Sequence, residues 1–319
     1  MKGFGSKALT NPEDVFSNLL DVDVDLVLTS RVPFSAQVSW LTMPCLRLCV
    51  IEEDAPRLAF ISLPPARFFI SFPLADDPPP VWNGIRLHRG DLVLHAPGDR
   101  FHHRTVGPVR WGLISIAPRD LAAHGRTLVD RDFAPSVATL IRPSVRKSGN
   151  LLRLHAQAGR LAATKPQLLT RSEVRRALEQ DLIHALVMAL ATEEPTVRPK
   201  AWQRRSETMV RFEDALTMHD KTQPLPMLCA GIGVPPRTLR EYCAAYLGCS
   251  PLQYSRLRRL NLARSTLLRT DPTVATVAQV ARSHGFSELG RFAVAYRSLF
   301  GEPPLATLLR SRSISAETA

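Results

Sequence analysis

The alternation of hydrophobic and polar residues divides the chain into a strand-rich part and a helical part. Between residues 22 and 116, short apolar or alternating runs are separated by proline, glycine and acidic turns, which is typical of β-strands. Many short strands with such turns indicate a β-sandwich or a β-barrel. The runs predicted as strands are 23–29, 46–52, 58–63, 67–72, 85–87, 91–95 and 110–116.

Helical periodicity begins after the last predicted strand. A helix is expected to open at residues 118–124, and residues 151–163 are amphipathic, with Leu151, Leu154, Ala158 and Leu161 on one face. A capping box at residues 170–173, with Thr170 and Glu173, predicts the start of a further helix that runs to about residue 191. Two interpretations of the last two helices stay open: both pack on the sheet, or one of them forms a dimer interface.

The C-terminal third contains two similar segments, residues 227–248 and 277–301, connected by one long helix. Each segment has a turn glycine between two short helices, a small residue where the helices meet, and a glycine that ends the second helix. Such a repeat indicates two copies of a helix-turn-helix unit. The matched pairs are Leu228 and Val280, Cys229 and Ala281, Gly233 and Gly285, Leu239 and Phe292, Cys243 and Tyr296, Gly248 and Gly301.

The ends of these helices are also encoded locally. Ser250 and Gln253 form a capping box around Pro251, which predicts the start of the connecting helix, and Pro272 stops it near residue 269. At 1.5 Å per residue this helix spans roughly 28 Å. That length is comparable to one turn of B-DNA, about 34 Å, so two recognition helices would reach successive major grooves.

These residues resemble the AraC/XylS family of bacterial transcription regulators. The resemblance covers roughly residues 204–310, and its most specific motif is GFSELGRFAVAYRSLFGEPP, from Gly285 to Pro304. It implies that each unit places a recognition helix in the major groove. Two positions depart from the family, because arginine is usual where this chain has Glu241 and Val294. The second recognition helix is therefore expected to read base edges poorly.

The resemblance also implies which residues contact DNA. The base-reading positions of the family fall on Arg237, Arg240 and Glu241 in the first unit, and on Leu289, Gly290, Ala293 and Val294 in the second. Arginine offers a bidentate contact to guanine, whereas a solvated charged face is the alternative explanation. The full set predicted to contact DNA is Arg237, Thr238, Arg240, Glu241, Glu288, Leu289, Gly290, Arg291, Val294 and Arg297.

The N-terminal part shares a shorter motif with the same family. The segment GDLVLHAPGDRFHHRT, residues 90–105, resembles the cupin-like sensor domain of AraC-type regulators. The predicted fold class is therefore α+β with two domains: a cupin-like β-barrel followed by helices, then an all-α domain with two helix-turn-helix units. The expected organisation is a loosely ordered lead at 1–20, a sensor and dimerisation domain at 21–192, a linker at 193–205, the DNA-binding domain at 206–311 and a disordered tail at 312–319.

Charge and cysteine content are consistent with such a regulator. The chain of 319 residues carries a formal charge of +12, and residues 200–319 hold 17 Lys/Arg against 9 Asp/Glu. Basic surface favours binding to a polyanion. The five cysteines form no CxxC pair, and Cys229 and Cys243 are expected to be buried thiols. No secretion signal or membrane span is expected, so the predicted location is the bacterial cytoplasm, in association with the nucleoid.

Candidate small-molecule chemistry is confined to the proposed barrel. His88, His95, His102 and His103 cluster there without the HxH spacing of metal-binding cupins, so neither a metal nor another cofactor is expected, and surface or pocket-lining positions are favoured. Asp99, Arg100 and His102 are candidates for lining a ligand pocket at the mouth of the barrel. A solvated turn is the alternative for each of them.

The expected function is that of a sequence-specific DNA-binding transcription regulator, controlled by a small-molecule effector or by dimerisation. The expected partners are double-stranded DNA, RNA polymerase, a small-molecule effector and a second copy of the chain, with no membrane. Two alternatives remain: a cupin-type metalloenzyme fused to a DNA-binding domain, and a nonspecific nucleoid-binding protein.

Overall fold

A computed structural model of the chain describes residues 3–10, 12, 21–76, 78–191, 200–218 and 223–317. Its N-terminal part contains two antiparallel sheets. The larger sheet has seven strands in the order β1-β3-β4-β11-β6-β9-β12. These strands are β1 (Phe4–Leu9), β3 (Ala36–Thr42), β4 (Leu46–Glu53), β6 (Phe68–Pro73), β9 (Leu92–His95), β11 (Val109–Ile116) and β12 (Thr139–Ile141).

The smaller sheet has five strands in the order β2-β5-β10-β7-β8. The prediction of a sheet-rich domain is confirmed, but the two sheets are separate, so the predicted barrel is not closed by hydrogen bonds between strands. The strands are β2 (Asp23–Leu28), β5 (Arg57–Ser62), β7 (Val81–Trp82), β8 (Ile85–Arg86) and β10 (Arg100–Thr105).

The larger sheet is buried on both faces. In β6, Phe69 packs into the core between the sheets, whereas Phe68 and Ile70 pack against helices on the opposite face. Side chains alternate across a strand, so a strand covered on both faces has apolar residues at nearly every position. This double coverage explains why residues 67–72 read as a continuous apolar run and not as an alternating one.

Three helices cover the outer face of the larger sheet. They are α1 (Pro118–Val129), α2 (Val145–Thr164) and α3 (Ser172–Leu190), with a 3₁₀ turn at Pro166–Thr170 between the last two. Leu151 and Leu182 are fully buried in the core that these helices form with the sheet. The structure therefore shows α2 and α3 packed on the sheet, and a role in dimerisation stays a prediction.

The C-terminal part is helical from Lys200 onward. Its connecting helix begins and ends where predicted, and Ser250 and Thr276 cap helices by accepting hydrogen bonds from the amides of Gln253 and Gln279. Here the helices are α4 (Lys200–Met218), α5 (Leu225–Ile232), α6 (Pro236–Leu247), α7 (Pro251–Arg269), α8 (Val277–Ser283), α9 (Leu289–Phe300) and α10 (Pro304–Glu317).

Three predicted boundaries differ from the structure. The lead at 1–20 contains β1, whose pairing with β3 supplies hydrogen bonds that no local pattern reveals. Residues 200–205 of the predicted linker are the first residues of α4, while residues 193–199 lie outside the described part. The predicted disordered tail is helical to Glu317, because α10 continues through it.

The four layers of the molecule are the helices α1–α3, the larger sheet, the smaller sheet and the C-terminal helices. The smaller sheet does not present its outer face to solvent. Val27 of β2 and Leu58 of β5 are buried in one hydrophobic cluster with Met209, Phe212 and Leu225 of the C-terminal domain. The two domains therefore share a core.

This shared core leads to a prediction about the isolated C-terminal domain. We expect a fragment of residues 200–319 to be mainly α-helical by circular dichroism, because both of its hydrophobic clusters are built largely from its own residues. It should unfold at a lower urea concentration than the same domain in the full chain, since Val27 and Leu58 no longer cover Phe212. A fragment without helical signal would contradict a domain boundary near residue 200.

Candidate nucleic-acid interface

The first helix-turn-helix unit presents one charged face to solvent. Leu239 and Cys243 of α6 are fully buried in the unit, which turns the opposite face of the helix outward. Arg237, Arg240 and Glu241 are exposed on that face, as predicted, and Thr238 is half-buried. Residues three and four apart share a helix face, so these side chains form one continuous polar surface.

The charged residues of α6 are not equivalent. Nε of Arg237 lies 3.0 Å from Oε1 of Glu241, and both side chains are largely exposed. Within the part of the chain that the structure describes, no ion pair or hydrogen bond engages the guanidinium of Arg240. Arg240 is therefore the side chain of this face whose donors are ready for an incoming acceptor, whereas Glu241 orients Arg237.

The second unit presents an apolar face at the equivalent positions. Phe292 and Tyr296 are buried, Gly290 and Ala293 are exposed, and Val294 is 73% exposed. Leu289 is half-buried against the core of its own unit. Within the described helix α9, the polar side chains of the exposed face lie at the edges of that face. They are Arg291, Arg297 and Ser298, and Arg291 pairs with Glu288 at 3.0 Å.

The connecting helix α7 carries five arginines, and the structure separates the roles of four of them. Arg256 is exposed, as expected for a residue facing solvent or phosphate. Arg259 instead donates to the carbonyl of Gly285 at 2.9 Å, which ties α7 to the turn of the second unit. Arg258 is buried at the domain interface, and the guanidinium of Arg264 lies over the ring of Phe300.

Comparison with known proteins identifies this arrangement. A family profile described as a helix-turn-helix domain matches residues 228–310. The chain is 40% identical over 73 residues to the XylDLEGF operon transcriptional activator 2 of Pseudomonas putida, covering 23% of this chain and 46% of that protein. It is 36% identical over 93 residues to a probable thc operon regulatory protein of Rhodococcus erythropolis, covering 28% of each.

Residues 228–310 form an AraC/XylS-type helix-turn-helix domain. The chain spans less than half the length of both relatives, so the likeness concerns this domain. Among solved structures, the chain is similar to the AraC-like transcriptional activator CuxR, with a TM-score of 0.38 at 12% identity, covering 76% of this chain and 87% of that chain. A TM-score of this size does not establish a common fold for the whole chain.

The C-terminal part is attached to the smaller sheet by a buried hydrogen bond between side chains of β10 and α4. Nε2 of His102 lies 2.7 Å from Oε1 of Glu213, and each side chain is only 2% exposed. Beside it, the guanidinium of Arg100 pairs with Asp214 at 2.5 Å on the half-exposed rim. The prediction that His102 lines a ligand pocket is therefore wrong, because β10 directs it into α4, the first helix of the C-terminal part.

The connecting helix α7 makes a second attachment. Arg258 donates to Asp25 of β2 at 2.8 Å. The side chain of Asn261 accepts from the backbone amide of Leu28 at 3.0 Å and donates to its carbonyl at 3.2 Å. Because β2 is an edge strand, Asn261 satisfies backbone groups that a further strand would otherwise pair with. The helix between the two helix-turn-helix units is thus bound directly to the smaller sheet.

A cavity of about 650 Å³ opens between the loop before β10 and helix α4. Asp99 and Arg100 line it together with Trp202 of α4, and the binding of a ligand by these residues stays a prediction. Oδ2 of Asp99 lies 2.8 Å from Nδ1 of His95, whose Nε2 lies 2.9 Å from the hydroxyl of Ser71. This buried chain holds the Asp99 carboxylate in one position at the cavity wall.

The remaining histidines do not form a metal site. His95, His102 and His103 are buried, so the expectation of surface or pocket-lining positions is wrong for them, whereas His88 is exposed. Burial, and then the nearby charge of Arg57, lower the pKa of His103 well below its usual value. Among the residues that the structure describes, no three His, Cys, Asp or Glu side chains are grouped to hold a metal ion.

Glu213, Asn261 and Trp202 are interface residues that the sequence reading missed. One signal was available for Glu213, which occupies the i+4 position of an apolar stripe formed by Met209 and Phe212. A carboxylate in such a stripe needs a buried partner. Nothing local distinguishes Asn261 or Trp202, because their partners lie far away in the sequence.

Proposed function

We propose that the chain is a sequence-specific transcription regulator whose N-terminal domain sets the position of an AraC-type DNA-binding domain. One observation carries the proposal: two recognition helices, α6 and α9, expose their outer faces while a single helix, α7, fixes their separation. Their proposed contacts to DNA are made by Arg237, Thr238, Arg240, Glu241, Glu288, Leu289, Gly290, Arg291, Val294 and Arg297.

Control by a small molecule is the second part of the proposal. The cavity beside Asp99 and Arg100 is lined by residues of both the sensor and α4, so a bound ligand would contact the AraC-type domain directly. Its volume lies within the range of about 300–1,000 Å³ that is usual for small-molecule sites. A ligand that binds one arrangement of the two domains better than another shifts the population between them.

The partners of such a regulator are double-stranded DNA, RNA polymerase, the effector and a second copy of the chain, acting in the cytoplasm at the nucleoid. None of the helices in the described ranges has the length and apolar character needed to cross a membrane.

The two alternative functions, a cupin-type metalloenzyme fused to a DNA-binding domain and a nonspecific nucleoid-binding protein, make different predictions. A cupin-type metalloenzyme would contain stoichiometric metal after purification, which elemental analysis detects. A nonspecific nucleoid-binding protein would bind random and selected DNA about equally, whereas specific regulators discriminate by roughly 10³–10⁷.

The first test of DNA binding is its dependence on salt. If arginine and lysine contacts to phosphate dominate, the logarithm of the binding constant should fall linearly with the logarithm of salt, by about 0.9 per phosphate neutralised. Fluorescence anisotropy between about 50 and 200 mM salt measures this slope. Arg297→Ala should make this slope shallower by the amount that corresponds to about one phosphate contact. An affinity that does not change over that range would contradict DNA binding as the main role.

A further inference from the structure

The exposed face of α9 begins with three apolar residues, which we call the methyl stripe: Gly290, Ala293 and Val294. All three are exposed, and Val294 is 73% exposed. Residues three and four apart share a helix face, so Ala293 and Val294 both lie beside Gly290. A Cβ placed on Gly290 would meet no atom of another element within 4 Å. The start of this face is therefore open to an incoming partner.

The polar side chains near the methyl stripe are engaged or lie further along the helix. Both carboxylate oxygens of Glu288 accept from the guanidinium of Arg291, each at 3.0 Å. Arg297 follows Gly290 by seven residues, which corresponds to about 10 Å along the axis of a helix. The side chains of the methyl stripe itself therefore offer neither a hydrogen-bond donor nor an acceptor.

Pyrimidines present two kinds of feature in the major groove. Thymine has an acceptor at O4 and cytosine a donor at N4, and hydrogen bonds distinguish these groups. Thymine also carries a methyl group at C5, which apolar side chains contact. A face without donors and acceptors cannot read the group at position 4, but it can bind the methyl group. 5-Methylcytosine carries that same methyl group while it keeps the amino group of cytosine.

We propose that the methyl stripe is a binding site for the C5-methyl group of a pyrimidine, whichever base carries it. Thymine and 5-methylcytosine are equivalent under α9, and uracil and unmodified cytosine are equally poor. Methylation of cytosine in the DNA site therefore strengthens binding through the second unit and acts as an input to the regulator. This inference rests on the proposed function, because α9 must first lie in the major groove.

The first unit provides the contrast within the same molecule. Arg240 of α6 is exposed, and its donors are available to the acceptors of guanine. At a base pair read by hydrogen bonds, the groups on the base edge decide the preference, and a methyl group at C5 of the paired cytosine does not replace them. Sensitivity to the methyl group should therefore be confined to the half of the DNA site that α9 covers.

The test measures binding of the full-length protein to a selected DNA site by fluorescence anisotropy. Each pyrimidine one helical turn from the motif under α6 is replaced in turn by thymine, uracil, cytosine or 5-methylcytosine, opposite its complementary purine. Thymine should bind more tightly than uracil, and 5-methylcytosine more tightly than cytosine, each by roughly threefold to fivefold, as expected for burial of one methyl group. Thymine and 5-methylcytosine should bind about equally.

Two valine variants separate contact with the protein from an effect of the methyl group on DNA stiffness. Val294→Ala should bring both ratios close to one, because the side chain that contacts the methyl group is shortened at an exposed position. Val274→Ala is the matched control and should leave both ratios unchanged. Val274 is 77% exposed and lies in the turn between α7 and α8, outside both recognition helices.

Three outcomes would overturn the inference. Equal binding of the thymine and uracil sites would show that the methyl group is not bound. Unchanged ratios in Val294→Ala would assign the effect to the DNA alone. Tighter binding of uracil than of 5-methylcytosine would show that position 4 is read by a hydrogen bond, with Arg291 as the nearest donor. Failure of the proposed function looks different, because all four sites would then bind no more tightly than random DNA.

Discussion

Glu213→Ala should destabilise the full-length protein by about 3–5 kcal/mol, the cost usual for removing one partner of a buried ion pair. Glu213 is 2% exposed and pairs with His102 at 2.7 Å, while Nε of Arg258 lies 3.8 Å from its other oxygen. Without the carboxylate, His102 loses the partner of its Nε2, and Arg258 loses the nearby charge of Glu213 while it keeps its contacts to Asp25 and Thr217. Urea unfolding followed by tryptophan fluorescence measures the change.

The charge of Glu213 also affects its other neighbours. Burial, and then the charge of Glu213, raise the pKa of the Tyr254 hydroxyl well above its usual value, which keeps this side chain neutral. Burial opposes the charge of Arg258, yet Glu213 and Asp25 raise its pKa. Glu213 is therefore the group that contacts or lies near one histidine of the smaller sheet and two residues of α7.

Glu207→Ala is the matched control, because Glu207 lies on the same helix and is exposed. Exposed substitutions usually change the free energy of unfolding by less than about 0.5 kcal/mol. The free energy of unfolding of the Glu213→Gln protein should lie between those of the Glu213→Ala and Glu207→Ala proteins, because the amide keeps a hydrogen bond to His102 but not the charge. If the Glu213→Ala and Glu207→Ala proteins unfold at the same urea concentration, the ion pair does not hold the domains together.

The second large effect concerns sequence discrimination by the two recognition helices. Arg240→Ala should relax the preference at one or two base pairs under α6, where each wrong pair is expected to cost about 1–3 kcal/mol. Arg240 is exposed and has no partner among the described residues, so its donors are available to guanine. On α9 the equivalent face offers Gly290, Ala293 and Val294, which supply only apolar contact to thymine methyl groups.

The measurement is a binding selection from randomised DNA with the wild type, Arg240→Ala and Arg297→Ala. The selected motif should be sharp under α6 and weak under α9. Arg297→Ala is the control, since loss of a phosphate contact weakens all sequences about equally. Two equally sharp half-motifs one helical turn apart would contradict the asymmetry, and so would an unchanged motif for Arg240→Ala.

The helical third could be predicted almost completely from the sequence because its signals are local. A capping side chain, a proline and a glycine act within four residues of one another, and all three mark the ends of α7 or of the recognition helices. Gly248 and Gly301 end α6 and α9 in the left-handed conformation that favours glycine. The exposed faces of α6 and α9 follow from the same periodicity, since burial of Leu239 and Phe292 determines the opposite faces.

The strands missing from the prediction show where local signals end. Edge strand β1 and strand β10 with its RFHHRT sequence have no clear alternation, and they exist because β3, β5 and β7 supply their hydrogen bonds. The polar residues of β10 read as a solvated or pocket-lining segment. In the structure they are buried, because the AraC-type domain covers the outer face of the smaller sheet.

The sequence by itself determined the two helix-turn-helix units, their spacing and the unequal chemistry of their recognition faces, because each depends on residues close together in the chain. Only the tertiary structure decided how the domains meet. His102 and Glu213, and Leu28 and Asn261, are separated by more than a hundred residues. Their pairing depends on which surfaces come into contact, and burial gives these side chains partners that no short-range pattern contains.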